Sequence, residues 1–182
     1  MRSVLKLFKN IYYSIVVSNR QTMDLEKYAR SLGVRIGKDC RIATIGWGTE
    51  PYLIEIGNHV HVTSGVQFLT HDGSVWVLSE TGQDYDTFGK IKIGNNVFIG
   101  INSYILLNVS IGDNVVVGCC SVVTKDVPSN SVVAGVPARI ISTYEEYREE
   151  MSNIILPTAH LSPTAKKEYL IKHFGLTTEQ EL

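Results

Sequence analysis

An apolar residue returns at every sixth position from Ile93 to Val123 without a slip, and this period constrains the chain more than anything else in it. The units read "IGNNVF", "IGINSY", "ILLNVS", "IGDNVV", "VGCCSV" and "VTKDVP". Glycine follows four of the anchors, as Gly94, Gly100, Gly112 and Gly118. A small or β-branched residue stands four positions after each anchor: Val97, Ser103, Val109, Val115, Ser121 and Val127. "IGKDCR", "IGNHVH" and "VTSGVQ", beginning at Ile36, Ile56 and Val62, repeat the pattern earlier in the chain. An amphipathic helix would space its apolar residues by three and four, and a free strand by two. A period of six suits a short strand, a corner and another short strand. Three such sides close one coil, and stacked coils bring the anchors into vertical ladders that fill the interior. One coil cannot bury that face alone, so the expected class is an all-β solenoid. The Gly and Asn residues after each anchor are expected to make the corners, where positive φ is often required.

The period breaks at "FLTHDG" and does not resume until Ile91. An irregular segment over residues 72–90, inside so regular a repeat, points to function, and it begins beside a histidine, His71. Composition narrows the function further. The chain has 182 residues with 17 basic and 18 acidic side chains, so it carries no charge excess that would suit nucleic acid. Its three cysteines, Cys40, Cys119 and Cys120, are odd in number and lack CxxC spacing, which argues against a disulfide framework or a zinc site and for a reducing cytoplasm.

Both ends read as helical. Val4, Phe8, Ile11 and Ile15 share one helical face, which packs on the protein's own core or rests on a membrane surface. No stretch reaches the roughly 20 apolar residues of a membrane span. "TMDLEKYARSLG" suggests a second helix with Thr22 as N-cap, a stripe of Leu25, Tyr28, Ala29 and Leu32, and Gly33 at its end. Downstream, Thr143 and Glu146 form a capping box for a helix to about Ser152. Ser162 caps another that starts with Pro163, carries Tyr169, Leu170 and Phe174, and ends at Gly175. The expected organisation is a helical segment over 1–34, the repeat over 35–141 with its extended loop at 72–90, and helices over 142–182.

The ladder, "SVVTKDVPSNSVVAGVPARII" and the loop histidine together resemble the hexapeptide-repeat acyltransferases. The likeness is greatest to bacterial sugar and polysaccharide O-acetyltransferases such as the maltose and galactoside acetyltransferases. It spans about residues 36–141, with "VTKDVP" and "AGVPAR" its most specific pieces. The resemblance implies a left-handed parallel β-helix, a homotrimer, and acetyl-CoA bound in a groove between neighbouring subunits. The handedness is implied by the resemblance alone, since crossover rules would favour a right-handed connection.

It also implies site residues. His71 matches the histidine that serves as general base, for which imidazole suits neutral pH. The backbone N–H of Ile101, just after Gly100, matches the oxyanion donor, and a backbone donor leaves no trace in side-chain identity. Thr124 and Lys125 match positions that meet the coenzyme. Gly118 and Cys119 fall where small residues border the pantetheine arm, and Arg139 suits the 3′-phosphate. Phe98 stands where galactoside relatives carry tryptophan near the acceptor. Those relatives also carry an asparagine in this region, for which this chain offers no counterpart.

For an orienting partner of His71 the residues leave two choices. Asp72 is adjacent, and Glu50 lies 21 residues earlier, about one coil plus a corner, where it sits beneath His71 or is a solvated corner residue. Trp76, Tyr85 and Phe88 in the loop either stack on a sugar ring or anchor the loop against a neighbouring subunit. His59 and His61 raise a zinc site of the γ-carbonic anhydrase kind, but no histidine lies five residues from His71, so no metal is expected. The leading function is an acetyl-CoA-dependent O-acetyltransferase acting on a sugar hydroxyl. The alternatives are an N-acetyltransferase of a nucleotide-linked amino sugar and a non-catalytic assembly scaffold.

Overall fold

The computed structural model describes residues 24–78 and 85–176. The chain divides into two compact units, Met1–Tyr147 and Arg148–Leu182. In the first unit, helix α1 (Leu25–Ser31) leads into the repeat. Its N-cap is Asp24, whose carboxylate accepts the Lys27 N–H at 3.0 Å. That corrects the expected Thr22, which lies outside the described residues, as does the stripe from Val4 to Ile15. Gly33, at φ 98°, ends the helix as expected. Of the expected stripe only Ala29 is buried, while Tyr28 and Leu32 remain exposed.

The repeat then runs in strands of two or three residues. The first coil holds β1 (Arg35–Ile36) and β2 (Arg41–Ile42), and the second β3 (Ile54–Ile56), β4 (Val60–Val62) and β5 (Gln67–Phe68). A short antiparallel pair, β6 (His71–Asp72) and β7 (Thr87–Phe88), interrupts them. The third coil is β8 (Ile91–Ile93), β9 (Val97–Ile99) and β10 (Tyr104–Ile105). The fourth is β11 (Ser110–Ile111), β12 (Val115–Val117) and β13 (Val122–Val123). Hairpin strands β14 (Ser131–Gly135) and β15 (Ala138–Thr143) close the stack.

Successive strands go to three different sheets in turn, and each sheet is built from parallel strands of successive coils. The orders are β1-β3-β8-β11, β2-β4-β9-β12-β14-β15 and β5-β10-β13, with only β15 antiparallel. Register follows the period: Ile93 pairs Ile111, Ile99 pairs Val117 and Ile105 pairs Val123, each eighteen residues apart. Every anchor from Ile93 to Val123 is at most 4% exposed, and so are all the residues four places on except Val127, at 6%. Each such Val or Ile contributes roughly 1.5–3 kcal/mol by leaving water.

The corners differ from expectation in one respect. Positive φ falls three places after the anchor, on Asp39, His59, Asn96, Asn102, Asn108, Asn114 and Cys120, rather than on the glycines that follow the anchors. Asparagine tolerates this left-handed conformation best among non-glycine residues. The glycines serve spacing instead. A Cβ on Gly100 would lie 2.5 Å from the Cys119 nitrogen of the next coil, and one on Gly57 would lie 2.6 Å from the Gly94 oxygen.

Beyond β15, Thr143 and Glu146 form the expected box: Glu146 accepts the Thr143 N–H at 2.8 Å, and Thr143 accepts the Glu146 N–H at 3.2 Å. Helix α2 spans Tyr144–Ser152. Helix α3 (Pro163–His173) starts at Ser162 as expected, and Gly175 follows it at φ 63°. Neither helix buries a residue. Among the described residues no helix is long and apolar enough to cross a membrane.

Candidate active site

The eighteen-residue spacing shortens to sixteen at the end of the stack, from Ile111 to Val127 and from Val117 to Val133, and it is exceeded twice, both times at one corner. From Ile36 to Ile56 the offset is twenty, with the surplus between Trp47 and Ile54, where Pro51–Leu53 makes a 3₁₀ turn. From Ile56 to Ile93 it is thirty-seven, because the chain leaves the coil after Phe68 and returns at Ile91. These two irregular corners stack. Trp47 lies parallel to Phe68, ring centroids 5.1 Å apart, and the Glu50 N–H reaches the Thr70 hydroxyl at 3.4 Å. Gly48 permits the approach: at φ 67° it lies so near Phe68 and Thr70 that a Cβ would be 2.7 Å from the Phe68 oxygen.

His71 sits on this stack. Its Nδ1 is 3.3 Å from Thr49 Oγ1 and 3.7 Å from Glu50 Oε1. Glu50 Oε2 accepts hydroxyl hydrogen bonds from Thr49 at 2.8 Å and Thr70 at 2.9 Å. Burial pushes the Glu50 carboxyl up. The bonds from Thr49 and Thr70, followed by the charge and hydrogen bond of His71, outweigh it and hold the carboxyl below its ordinary value. Glu50 is thus the carboxylate beneath His71, as the spacing suggested.

This geometry accommodates the tautomer that a general base needs. Thr49 spends its only proton on Glu50, so the lone pair of Thr49 and the carboxylate of Glu50 both face Nδ1 as acceptors. A proton on Nδ1 finds acceptors there, and in that tautomer Nε2 carries the lone pair a general base needs, whereas a proton on Nε2 would face the Asp86 carboxylate. Phe88 packs on the ring at 5.1 Å, and Asp86 Oδ1 stands 3.4 Å from Nε2.

Asp72 does not take the orienting role: its carboxylate accepts the Ser74 N–H at 2.8 Å in a local turn, which chiefly holds its carboxyl below the ordinary value. Trp76 and Tyr85 are exposed on the excursion. Thr124 and Lys125 follow β13, which stacks through β10 on β5, the strand that precedes His71, so they belong to the same edge of the coil. Both are exposed, as is Arg139.

Gly100, Ile101, Gly118 and Cys119 come together at a different corner, where Ile101 accepts the Cys120 N–H at 2.8 Å. Phe98 lies on the outer face of β9, edge-on to His61 at 5.4 Å. There it lines a cavity of about 610 Å³ with Arg41, His59, His61, Asn96 and Tyr144. One chain thus places His71 and Lys125 on one edge, and Phe98 and Ile101 elsewhere. His59 is occupied as a corner residue, with Nδ1 2.8 Å from Asn96 Oδ1, and among the described residues no group of three side chains could hold a metal ion.

Thr49, Thr70 and Asp86 escaped the reading of the sequence. Thr49 and Thr70 follow from the same offset that found Glu50. Asp86 has no such signal, because the β6–β7 pairing that brings it back to His71 follows no period.

The stacked coil of hexapeptides defines a class of repeat proteins, and comparison agrees. Residues 90–125 match the family described as bacterial transferase hexapeptide (six repeats). Protein CapG of Staphylococcus aureus is 51% identical over 152 residues, covering 82% of this chain and 88% of its own. Galactoside O-acetyltransferase of Escherichia coli (strain K12) is 42% identical over 93 residues, 50% of this chain and 45% of that enzyme. Among solved structures, a hexapeptide-repeat-containing acetyltransferase from Vibrio cholerae O1 biovar eltor, complexed with acetyl coenzyme A, is 32% identical with a TM-score of 0.55. That match covers 62% of this chain and 61% of the other, so the chain spans less than two thirds of it, as it does of the galactoside enzyme. A maltose O-acetyltransferase from Clostridium difficile 630 is 29% identical with a TM-score of 0.51, over 65% and 73% of the two chains. The chain belongs to the hexapeptide-repeat acetyltransferases.

Proposed function

We propose that the protein transfers the acetyl group of acetyl-CoA directly to a sugar hydroxyl, with His71 as general base. The observation that carries this is the placement of Thr49 Oγ1 at 3.3 Å and Glu50 Oε1 at 3.7 Å from His71 Nδ1, which supports the tautomer whose Nε2 can accept a proton. Nε2 takes the hydroxyl proton, the oxygen attacks the thioester carbonyl, and the C–S bond breaks. The departing CoA sulfur takes the proton from the imidazolium. The thioester is already activated, so no covalent enzyme intermediate is required.

The acetyl-CoA complex of the Vibrio enzyme and the names of the galactoside and maltose enzymes support the co-substrate and the acceptor class. On this reading the coil is left-handed, the protein is cytoplasmic and trimeric, the Ile101 N–H is the oxyanion donor, and Gly100, Gly118, Cys119, Thr124, Lys125 and Arg139 serve the coenzyme. Separation of Phe98 and Ile101 from His71 within one chain supports a site completed by a neighbouring subunit.

The test is free-thiol release from acetyl-CoA with galactoside and maltose acceptors. His71→Ala is expected to lower kcat at least about 10²-fold, as removal of a general base does. Near-normal turnover would take His71 out of the mechanism. Mass spectrometry of the product tells an ester from the amide of an N-acetyltransferase, and calorimetry showing no binding of acetyl-CoA would favour the scaffold.

A further inference from the structure

Among the described residues, Asp86 is the charged group beside the reactive nitrogen that the proton transfer above does not use. Its Oδ1 lies 3.4 Å from His71 Nε2, opposite Glu50 and Thr49, and its side chain is 54% exposed. In the tautomer that the proposed transfer requires, with the proton on Nδ1, Nε2 and the Asp86 carboxylate are both acceptors, and two acceptors side by side cannot satisfy one another. They can be satisfied together by two donors held at the same separation. Hydroxyls on adjacent carbons of a sugar ring provide such a pair.

We infer that Asp86 is a specificity residue that selects an acceptor carrying a second hydroxyl next to the one acetylated. One hydroxyl gives its proton to Nε2, and its neighbour donates a hydrogen bond to Asp86. A hydrogen bond to a charged group contributes more than a neutral one, so its loss should weaken acceptor binding appreciably. Asp86 enters from β7, which His71 itself pairs through Phe88, so the base and the selecting carboxylate are fixed by one pair of strands. The inference rests on the proposed transfer to a sugar.

The experiment compares wild type, Asp86→Asn, Asp86→Ala and Asp86→Glu by thiol release. The acceptors are methyl galactoside, maltose and monodeoxy galactosides, each lacking one hydroxyl. The expected result is a rise in acceptor KM of about 10-fold or more for Asp86→Ala, with kcat within about 3-fold, the KM for acetyl-CoA unchanged, and partial recovery in Asp86→Glu. One monodeoxy acceptor should bind wild type and Asp86→Ala equally weakly, since it lacks the partner hydroxyl. If kcat falls for every acceptor alike, Asp86 acts only by positioning His71 and the inference is overturned. If KM rises equally for all monodeoxy acceptors, no neighbouring hydroxyl is being read and it is overturned as well. Failure of the wider function looks different: wild type itself would release no thiol with any sugar.

Discussion

Glu50→Gln separates the charge of the carboxylate from its shape. The amide keeps the size of Glu50 and an oxygen for the Thr49 and Thr70 hydroxyls, but it cannot stabilise the imidazolium that forms as His71 takes the proton. The distance from Nδ1 to Oε1 is 3.7 Å. At that separation Coulomb's law gives about 1 kcal/mol with the dielectric of bulk water and about 4.5 kcal/mol at an effective value near 20. The side chains are 32% and 14% exposed, so the site lies between these limits. A loss of roughly 1.5–3 kcal/mol in the transition state corresponds to a fall in kcat of roughly 10- to 150-fold. The KM for acetyl-CoA should stay constant, because Glu50 lies behind the base. The assay is steady-state thiol release at neutral pH, with the melting temperature measured on the same sample to show that the corner is intact. A folded Glu50→Gln enzyme that keeps kcat within 2-fold would refute the coupling of this carboxylate to His71.

Three further outcomes test the fold around the site. Gly100→Ala pushes a Cβ to 2.5 Å from the Cys119 nitrogen. Backbone cannot step aside as a side chain can, so a loss of about 3 kcal/mol, seen as a melting temperature lower by roughly 6–12 °C, is expected. Trp47→Phe should be nearly neutral by thermal unfolding. The lost ring area is offset because the buried Trp47 Nε1 has no hydrogen-bond partner among the described residues. His61 has its pKa held below the ordinary 6.5, by burial first and by the Arg41 guanidinium second. The unfolded chain therefore binds the proton more readily, and stability is lost as pH falls from 6.5 through the lower folded value. His61→Gln should shrink the difference in melting temperature between about pH 7.5 and about pH 5, and an unchanged difference would show that His61 stays solvated.

The coil was legible because its physics is one-dimensional. Each anchor has one partner a fixed number of residues away, so a period in the sequence becomes a register in space, as Ile93 over Ile111 and Ile105 over Val123 show. Glu50 was legible for the same reason, since its offset from Thr70 is one coil with the small surplus of its own corner. What the period could not resolve was why glycine follows the anchors. A residue kept small for the approach of the next coil and one kept small for its own φ look alike, and contacts such as Gly57 over Gly94 and Gly100 over Cys119 show the first cause.

Asp72 turns away from His71 and Asp86 comes to it for a reason of range. An aspartate two residues before a backbone N–H forms a local turn more readily than a contact with its neighbour's ring, so Asp72 closes on Ser74. Asp86, just before β7, is returned to His71 by strand pairing across the excursion. This also explains where the site is. A perfect repeat leaves every corner equivalent, and no corner of it can gather side chains from unequal sequence distances. The one corner where two successive coils depart from eighteen residues can bring together Thr49 and Glu50, His71, and Asp86. If that reasoning holds, deleting the excursion while restoring the eighteen-residue spacing should leave a folded coil with no acetyl transfer. Loss of folding in that variant would instead make the excursion part of the core.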